Sequence, residues 1–524
     1  MTASPELAAE YRRLGWWRDR TFLDDLRRQA LQRPHKLAIA GRRVAESRTD
    51  TLDYAELAEL TDRFAGGLLD LGVRRGDAVA VQLSNRWEMA PLIFACMAVG
   101  AVICPISPIC PEGELRHRLE LTEAPVFITL PESAEIGVRL RDSLSTLDHL
   151  FVVDRPEFHA QFVGHSAESI VDAIAVGADE PFLVLFTSGT TGEAKGVLHS
   201  PNTVHSAIRG YVDAFGLDET WVAAVSTPLI HYSGFAQGVL ASVLLGGTVA
   251  FQDVRRNEAL LDLVERYGAT LLYGPPATLA DVVAAQRVDK RATPSLRHVV
   301  IGSAPVLREL VDDLSETVGA RTYSLWGMSE NGPVTMTRPE DPEDRAATSN
   351  GVAIDAMQIR IDPAGIDDRA GLVGRLKVRG ASLALGYYKR DDVFAAQFDA
   401  DGWFDTGDLA RDDGHGGIRI IGRSRDAIVR DGLIAPMTEL EAVIGSHPKA
   451  VEAALVGLPT SGGETVICAV VVPRGEHGPS LAEIHAHLSA QDSRFWPDRV
   501  EIVAALPKTL TGKVRKAELR ERYA

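Results

Sequence analysis

The sequence predicts an α/β protein in which helices cover β-sheets, followed by a β-rich part and a small α+β domain. Helical and strand-like apolar patterns alternate up to residue 360, which is typical of parallel sheets covered by helices. Beyond residue 360, short β-like runs separated by turn signals take over. The 524 residues are 45% hydrophobic and 24% charged, so the chain has a globular composition and can bury a large core.

The first part of the chain carries both periodicities. Leucines and Phe64 recur at helical spacing, while the strand-like runs are short and apolar. The predicted elements are a helix over 57–71, strands over 78–83, 182–186, 270–273 and 296–301, and a helix over 260–267.

One stretch, residues 89–109, contains no charge and is long enough to cross a bilayer. It also contains three prolines and Gly100, and prolines interrupt a helix whose backbone faces lipid. We therefore expect a buried helix over 91–99 that turns at Gly100 into a buried strand over 101–104, and no membrane span.

The C-terminal part predicts a small domain of its own. The expected elements are strands over 375–379, 402–404 and 418–421, then helices over 439–444 and 481–488 with strands over 453–456, 466–472 and 500–504. We place the large domain at 1–424 (α/β sheets over 1–360, the β-rich part over 361–424) and the small one at 425–524. The boundary is expected near 423–426, in the polar, charged junction GRSRD.

Charge and cysteine usage exclude several classes of protein. The net charge of −17 argues against a general nucleic-acid binder, although a local cationic pocket for phosphates remains compatible with it. The four cysteines have no CxxC spacing, which predicts buried thiols in a reducing cytoplasm without disulfides or a zinc site. The N-terminus has no apolar segment typical of a signal peptide.

A stretch rich in glycine and hydroxyl groups follows the apolar run 182–186. Residues 185–196 are LFTSGTTGEAKG. Small residues let backbone N–H groups approach phosphate oxygens, hydroxyls donate to them, and Lys195 adds a positive charge. Because GxxxxGK[ST] does not fit, we predict a phosphate-binding loop other than the usual P-loop.

This loop resembles the signature of the adenylate-forming enzymes, which include acyl- and aryl-CoA synthetases, peptide-synthetase adenylation domains and luciferases. Further segments carry the resemblance in the expected order over nearly the whole chain: PLIHYSG (228–234), GSAP (302–305), WGMSE (326–330), WFDTGD (403–408), GRSRD (422–426) and LPKTLTGK (506–513). The chain is identified as a member of this superfamily, in its acid–CoA ligase (acyl-CoA synthetase) branch.

The resemblance implies a reaction in two halves. A carboxylate attacks the α-phosphate of ATP to give acyl-AMP and pyrophosphate, and a thiol, usually that of coenzyme A, then takes the acyl group. Both halves need charge stabilisation and positioning more than covalent chemistry by the protein. The implied catalytic residues are Lys513, which would reach the reacting carboxylate, and Glu330, which would help to hold Mg²⁺ through oxygen.

The resemblance also implies a set of residues that bind ATP and AMP. Asp408 would accept hydrogen bonds from the ribose hydroxyls, and Arg423 would support the same sugar. The full set is Thr187, Ser188, Gly189, Thr190, Thr191, Gly192, Lys195, Ser303, Ala304, Pro305, Trp326, Gly327, Ser329, Asp408 and Arg423.

The implied acyl pocket and coenzyme A path complete the site. The pocket would be lined by His231, Tyr232, Phe235, Gly238 and Gly302. Its residues favour a mainly apolar acid of medium to large bulk. Arg425 occupies the hinge on which the small domain would swing, bringing Arg430 and Gly432 to the path of the pantetheine arm.

Several positions depart from the family's pattern. Trp326 replaces tyrosine, Ser329 replaces threonine, Ala194 replaces proline, Arg375 stands where glutamate is usual, RDGLI (430–434) stands in place of RGGEN, and 350–355 lacks a proline. One interpretation is family drift with full ligase activity. The other is that Trp326 blocks the ATP pocket, so that the protein forms only the thioester, from acyl-AMP supplied by a partner enzyme. The retained phosphate loop, Asp408 and Lys513 favour the first.

Other acceptors and activities stay open at this point. Acyl loading onto a carrier protein in trans is a further hypothesis, since no LGxDS-like attachment serine follows Lys513. A luciferase-like oxidation lies within the family, and the intact lysine motif argues against a non-catalytic ligand binder. We expect a carboxylic acid, ATP with Mg²⁺ and coenzyme A as ligands, and neither nucleic acid nor membrane as partner. The sequence leaves the oligomeric state open, with a dimer as one option.

Overall fold

A computed structural model describes residues 4–166, 175–188, 194–363, 373–459, 465–508 and 514–524. Two large β-sheets with flanking helices form its N-terminal part, and smaller sheets follow toward the C-terminus. The predicted α/β class, with a large N-terminal region and a small C-terminal α+β region, is confirmed.

The described strands lie along the whole chain. They are β1 (Leu37–Arg43), β2 (Arg48–Asp53), β3 (Ala78–Gln82), β4 (Val102–Pro105), β5 (Val126–Thr129), β6 (His149–Val152), β7 (Leu183–Ser188), β8 (Ala194–His199), β9 (Val222–Val225), β10 (Thr248–Gln252), β11 (Leu271–Gly274), β12 (His298–Ile301), β13 (Arg321–Met328), β14 (Gly332–Met336), β15 (Val352–Ala353), β16 (Met357–Pro363), β17 (Val373–Gly380), β18 (Gly386–Tyr387), β19 (Phe404–Asp412), β20 (Ile418–Arg423), β21 (Val429–Arg430), β22 (Leu433–Ile434), β23 (Ala450–Pro459), β24 (Thr465–Pro473) and β25 (Arg499–Ile502).

The described α-helices connect these strands. They are α1 (Pro5–Arg13), α2 (Phe22–Gln32), α3 (Tyr54–Asp70), α4 (Met89–Val99), α5 (Glu112–Thr122), α6 (Ala134–Ser143), α7 (Pro156–Phe158), α8 (Pro201–Phe215), α9 (Ala241–Leu245), α10 (Asn257–Tyr267), α11 (Pro276–Val288), α12 (Arg308–Val318), α13 (Arg345–Thr348), α14 (Asp391–Ala395), α15 (Met437–Gly445), α16 (Leu481–His487) and α17 (Lys516–Tyr523).

Three sheets build the N-terminal part. The first has the order β15-β14-β13-β12-β11-β9-β10-β1-β2, the second the order β18-β8-β7-β4-β3-β5-β6, and the third the order β16-β17-β19-β20. The inner strands of the first two are mostly parallel, whereas the third is antiparallel throughout. The run expected over 402–404 begins too early, because Gly402 adopts a left-handed conformation in a turn and β19 starts at Phe404.

The uncharged stretch folds as predicted. Every residue of α4 is buried, Gly100 ends the helix in the left-handed conformation with φ of 72°, and β4 follows inside the sheet. Within the described part of the chain, no helix combines the length and the apolar character that crossing a bilayer requires. The four cysteines are buried and unbridged.

The C-terminal part has a core of its own. The β21–β22 hairpin leads into α15 and the sheet β23-β24-β25, and side chains such as Leu440, Ile467 and Ile484 pack together there. The C-terminal region contacts the preceding sheet at strand β20. There, Thr438 Oγ1 donates to the carbonyls of Ile420 and Ile421, each at 3.2 Å. An apolar cluster adds to this contact, because Leu409 and Ile421 of the sheet pack against Ile434 of the C-terminal region.

Candidate active site

The predicted nucleotide residues emerge where parallel strands end side by side. The register of β12 and β13 pairs Ile301 with Ser324, so the GSAP segment leaves the sheet beside Trp326. A side chain at Gly302 has no room, since a Cβ there would come within 2.8 Å of the Tyr273 hydroxyl. Ser303 adopts φ of 74°, a left-handed conformation that is unfavourable for serine. Ends of neighbouring parallel strands are the usual place for a ligand in such sheets.

Trp326, Asp408 and Arg423 form one contact group. The register of β19 and β20 pairs Asp408 with Arg423, whose Nε lies 3.1 Å from Asp408 Oδ1. The Trp326 indole N–H donates to Asp408 Oδ2 at 3.1 Å. Trp326 is 8% exposed and Asp408 6%, so the carboxylate is oriented from two sides in a largely desolvated place. The structure therefore brings together three residues that the sequence assigned to the nucleotide.

A second group surrounds Glu330. The Tyr387 hydroxyl donates to Glu330 Oε1 at 2.9 Å, and Lys195 Nζ lies 4.9 Å from the centre of the Tyr387 ring. Burial, with Glu330 beside it, raises the pKa of Tyr387, so its hydroxyl keeps its proton. Burial lowers the pKa of Lys195, an effect that the charge of Glu330 opposes. The group joins a cation, a hydrogen-bond donor and a buried carboxylate.

The backbone next to Glu330 is held by a buried histidine. His199 Nε2 lies 2.6 Å from the Ser329 carbonyl oxygen, and Nδ1 lies 2.9 Å from Thr203 Oγ1. Because a carbonyl oxygen only accepts, Nε2 carries the proton in this assignment. Burial lowers the pKa of His199 to about 4, so the ring is neutral at pH 7. His199 thereby fixes the segment that carries the predicted metal ligand.

The predicted acyl-pocket residues fall into two sets. Tyr232 is buried beside the His199 ring, with ring centroids 5.4 Å apart, and a Cβ at Gly332 would come within 2.6 Å of the Tyr232 ring. His231 is half-buried next to it.

The second set lies in the core. Phe235 belongs to a π-helix, Ser233–Leu240, and is fully buried near Phe182, while Gly238 faces Val225 and Val249. Tyr232 therefore lies beside the Glu330 group, whereas Phe235 and Gly238 pack inside the protein.

The residues predicted for the hinge and the coenzyme A path lie in the C-terminal part and in the turn that leads into it. Arg425 is exposed in the turn Ser424–Asp426, and its Nε lies 3.6 Å from Asp426. Asp431 and Gly432 both have positive φ, 54° and 72°, as the two-residue turn of the β21–β22 hairpin requires. RDGLI thus forms a hairpin despite its departure from the family's pattern.

Arg430 has an elaborate set of partners. Its guanidinium forms an ion pair with Asp498 and donates to the carbonyls of Thr465 at 2.8 Å and Arg494 at 3.1 Å. These partners all belong to the C-terminal region. The structure thus gives Arg430 a stabilising role at this place.

Five predicted site residues, Gly189, Thr190, Thr191, Gly192 and Lys513, lie outside the described residues. The loop is described at its two ends, where Thr187 pairs with Lys195 across the β7–β8 hairpin and the backbone of Ser188 pairs with Ala194. Ser303 and Ala304 are exposed, Pro305 and Ser329 are half-buried, and Gly327 is exposed at the end of β13.

Sequence reasoning missed Tyr387 and His199. Tyr387 lies in the two-residue strand β18, which pairs with β8, and the only available signal was the aromatic pair after Gly386. His199 lies at the end of β8, four residues after Lys195, and nothing in the sequence distinguishes it from a core histidine. Arg375, a departure from the family's pattern, pairs with Asp405 at 2.8 Å, so its charge is compensated within the sheet.

Family comparisons match this geometry. The AMP-binding enzyme family model matches residues 26–388, and the model of the AMP-binding enzyme C-terminal domain matches residues 439–513. The chain belongs to the AMP-binding enzyme family. The superfamily assignment made from the motifs is thereby confirmed.

Individual relatives of this AMP-binding enzyme span its whole length. The medium-chain fatty-acid–CoA ligase of Escherichia coli (strain K12) is 28% identical and covers 99% of this chain and 94% of its own. The 2,3-dihydroxybenzoate-AMP ligase of Bacillus subtilis (strain 168) is 30% identical, covering 98% and 96%. ATP-bound MatB from Rhodopseudomonas palustris superposes with a TM-score of 0.83 at 27% identity, covering 96% and 99%.

The residues present suit Mg²⁺ bound together with a nucleotide. Within the described ranges, no group of three or more His, Cys, Asp or Glu side chains is arranged to hold a metal ion by itself. Mg²⁺ commonly binds through one or two carboxylates plus substrate phosphates. The buried Glu330 carboxylate, oriented by Tyr387 beside Lys195, offers such an oxygen ligand.

Proposed function

We propose that this AMP-binding enzyme is an acid–CoA ligase that converts a bulky, mainly apolar carboxylic acid into its coenzyme A thioester through an acyl-adenylate. The observation that carries the proposal is the joint placement of the Trp326–Asp408–Arg423 group and the Lys195–Tyr387–Glu330 group, which share strand β13 and its end. Relatives named for a medium-chain fatty acid and for a dihydroxybenzoate support an acid with an apolar or aromatic body.

In the adenylating half, the substrate carboxylate forms a bond to the α-phosphorus of ATP and pyrophosphate leaves with the electron pair of the broken P–O bond. Asp408, held by Trp326 and Arg423, accepts from the ribose hydroxyls. Lys195 and Lys513 offset the negative charge around the phosphates, and Glu330 supplies an oxygen ligand for the Mg²⁺ that neutralises ATP. These roles require fixed charges rather than a nucleophilic residue.

In the thioester-forming half, the sulfur of coenzyme A attacks the acyl carbonyl carbon and AMP leaves. We propose that the segment 425–524 turns about Arg425 between the halves, so that Lys513 withdraws and the Arg430–Gly432 hairpin faces the pantetheine arm. Such a turn would break the two hydrogen bonds of Thr438 and rearrange the apolar cluster of Leu409, Ile421 and Ile434. The buried thiols fit a reducing, cytoplasmic setting.

No described contact favours the thioester-only alternative. Trp326 is engaged with Asp408, and the ribose that Asp408 would bind is common to ATP and acyl-AMP. An obstruction at this point would hinder both substrates alike, so it does not separate the two half-reactions. The Arg375–Asp405 pair likewise supports compensated drift.

The test is a split assay on the purified full chain. One arm supplies ATP, Mg²⁺ and a panel of aliphatic and aromatic acids and follows pyrophosphate release. The other supplies the matching synthetic acyl-AMP with either coenzyme A or a phosphopantetheinylated carrier protein and follows the thioester. We expect both arms to proceed on the same acid, with coenzyme A preferred. Turnover of acyl-AMP alone, or a preference for the carrier, would replace the proposal by the corresponding alternative.

A further inference from the structure

A cavity of about 870 Å³ lies on the antiparallel sheet β16-β17-β19-β20, away from the two groups described above. Strand β16 and the end of helix α13 contribute to its walls, as do the end of β19 and the start of β20. Three arginines, Arg360, Arg411 and Arg419, line it. Since β19 also carries Asp408, three residues before Arg411, the cavity begins about 10 Å along the strand from the ribose-binding carboxylate.

Two of these arginines face each other across the strands. The register of β19 and β20 places Arg411 directly opposite Arg419. Like charges at directly opposite positions of an antiparallel pair repel each other and destabilise the sheet. Arg411 is exposed, so water screens part of this repulsion, and an anion between the two side chains would offset the rest.

Arg419 is the unusual member of the pair. It is only 4% exposed, and its Nη1 is buried without an acceptor anywhere in the described ranges. No ion pair within 4.0 Å joins it to a described carboxylate, although Glu439 of α15 attracts it from farther away. Burial lowers the pKa of Arg419, and Arg411 adds to this effect. A buried guanidinium without a partner is costly unless a ligand supplies the missing acceptor.

The other charges around the cavity are already compensated or exposed. Arg360 is paired with Asp362 and Asp399, both at 2.6 Å. Asp413 is paired with Arg345 at 2.6 Å, and the exposed Asp412 accepts from the N–H of Gly414 at 2.6 Å. Two guanidinium groups, those of Arg411 and Arg419, therefore remain for a ligand.

We propose that this cavity binds the phosphate group of a small molecule between Arg411 and Arg419, at a site separate from the nucleotide site. A phosphate dianion matches two guanidinium groups in charge, and its oxygens accept the paired N–H donors of a guanidinium. The apolar side chains of Ile359 and Ile361 on the β16 wall would accommodate the organic part of a phosphate monoester. The site binds phosphate itself, and either inorganic phosphate or a nucleotide can supply that group.

The experiment measures the binding of ³²P-labelled inorganic phosphate to the full chain by equilibrium dialysis, in buffer free of other phosphate and sulfate. It is carried out in the Lys195→Met, Asp408→Ala background, so that neither the cation of the predicted phosphate-binding loop nor the ribose-binding carboxylate contributes to binding. We expect saturable binding near one phosphate per chain. Arg419→Met should weaken it by about tenfold or more, because one charge-assisted partner is lost. Binding needs neither acid nor coenzyme A, so its failure is distinguishable from failure of the proposed ligase activity.

The matched control is Arg379→Met, which removes a half-buried arginine of the same sheet that contacts Gln358 and the Trp403 ring. It should change phosphate affinity less than about twofold. Thermal unfolding in phosphate-free buffer separates binding from folding, because an apolar replacement of an unpaired buried charge is expected to be neutral or stabilising. In Arg419→Met the midpoint should therefore not fall, while its rise on adding phosphate should disappear.

Competition identifies the source of the phosphate group. Displacement of the label by AMP at lower concentration than by unlabelled phosphate assigns the site to a nucleotide, and equal displacement assigns it to free phosphate; both support the proposal. Absence of saturable binding, or binding that Arg419→Met leaves unchanged, overturns it. Loss of binding in Arg379→Met as strong as in Arg419→Met also overturns it.

Discussion

The nucleotide side of the site and the C-terminal region differ in how their functional residues are held. On the nucleotide side, Asp408 and Glu330 are buried and already oriented by Trp326, Arg423 and Tyr387. In the C-terminal region, Arg425 is exposed and Arg430 is engaged with partners of its own region. The comparison teaches that the residues of the nucleotide side are already oriented by their neighbours, whereas those of the C-terminal region would have to move to reach the same ligand.

The largest expected effect comes from removing the residue that would be delivered. Lys513→Ala should slow adenylation by about 10²- to 10³-fold, because a positioned charge on the transferring phosphate is lost. Thioester formation from supplied acyl-AMP should change less than about threefold, since the two half-reactions would use different faces of the small region. Pyrophosphate release and thioester formation are measured separately. An equal loss of rate in both half-reactions would contradict the proposed difference between the two regions.

The buried residues of the nucleotide side should also make the free energy of unfolding depend on pH. The pKa of His199 lies at about 4, below the ordinary value of 6.5, so the unfolded chain binds this proton first as the pH falls. The contribution is fully present above pH 6.5 and is lost down to about pH 4, which amounts to about 3 kcal/mol of unfolding free energy. His199→Gln should flatten this decline, as measured by denaturant unfolding at each pH.

A matched control for the acid response is His35→Gln, whose side chain is 89% exposed. The part of the decline that comes from His199 should remain in this variant, since His199 is unchanged in it. His205, also buried with a pKa of about 3, should preserve part of the decline in the His199→Gln variant. A decline identical in wild type and His199→Gln would show that folding does not lower the pKa of His199.

A smaller effect is expected from the donor that orients Glu330. Tyr387→Phe removes one hydrogen bond to a carboxylate, worth about 1.5 kcal/mol, so adenylation should slow by about tenfold. The Mg²⁺ concentration needed for half-maximal rate should rise, which a purely structural role would not cause. Tyr388→Phe, at the adjacent position, serves as control and should leave the Mg²⁺ dependence unchanged.

The smallest effect is expected in the C-terminal region. Arg430→Gln removes a half-exposed ion pair and two hydrogen bonds to carbonyls, so unfolding free energy should fall by about 1 kcal/mol. Adenylation should stay within about twofold of wild type, while the KM for coenzyme A rises if the hairpin lines its path. A large loss of adenylation would show that Arg430 acts in the adenylating half, and would contradict the difference drawn between the nucleotide side and the C-terminal region.

Local patterns were sufficient for much of the fold. Apolar periodicity predicted α4, β4 and the elements of the C-terminal region, because each depends on side-chain spacing and on a turn residue such as Gly100. The start of β19 was misplaced, since Trp403 is strand-like by composition while Gly402 commits the chain to a turn.

The site was predictable only as far as its motifs extend. Asp408 and Arg423 were identified because each lies in a recognisable segment, and cross-strand register then places them in contact. Tyr387 and His199 act through tertiary contacts between distant strands, which no local pattern encodes. The positions of Gly189–Gly192 and of Lys513 stay predictions.

Ser303 bears on attempts to make this enzyme withstand heat. A left-handed serine costs about 1 kcal/mol that glycine would not, so repeated selection for thermal tolerance should favour Ser303→Gly early. The same exchange would give the segment beside Trp326 more freedom than a nucleotide-binding edge can use. Robustness gained at this position would therefore come with slower turnover, and libraries built for heat resistance are better designed with Ser303 left unchanged.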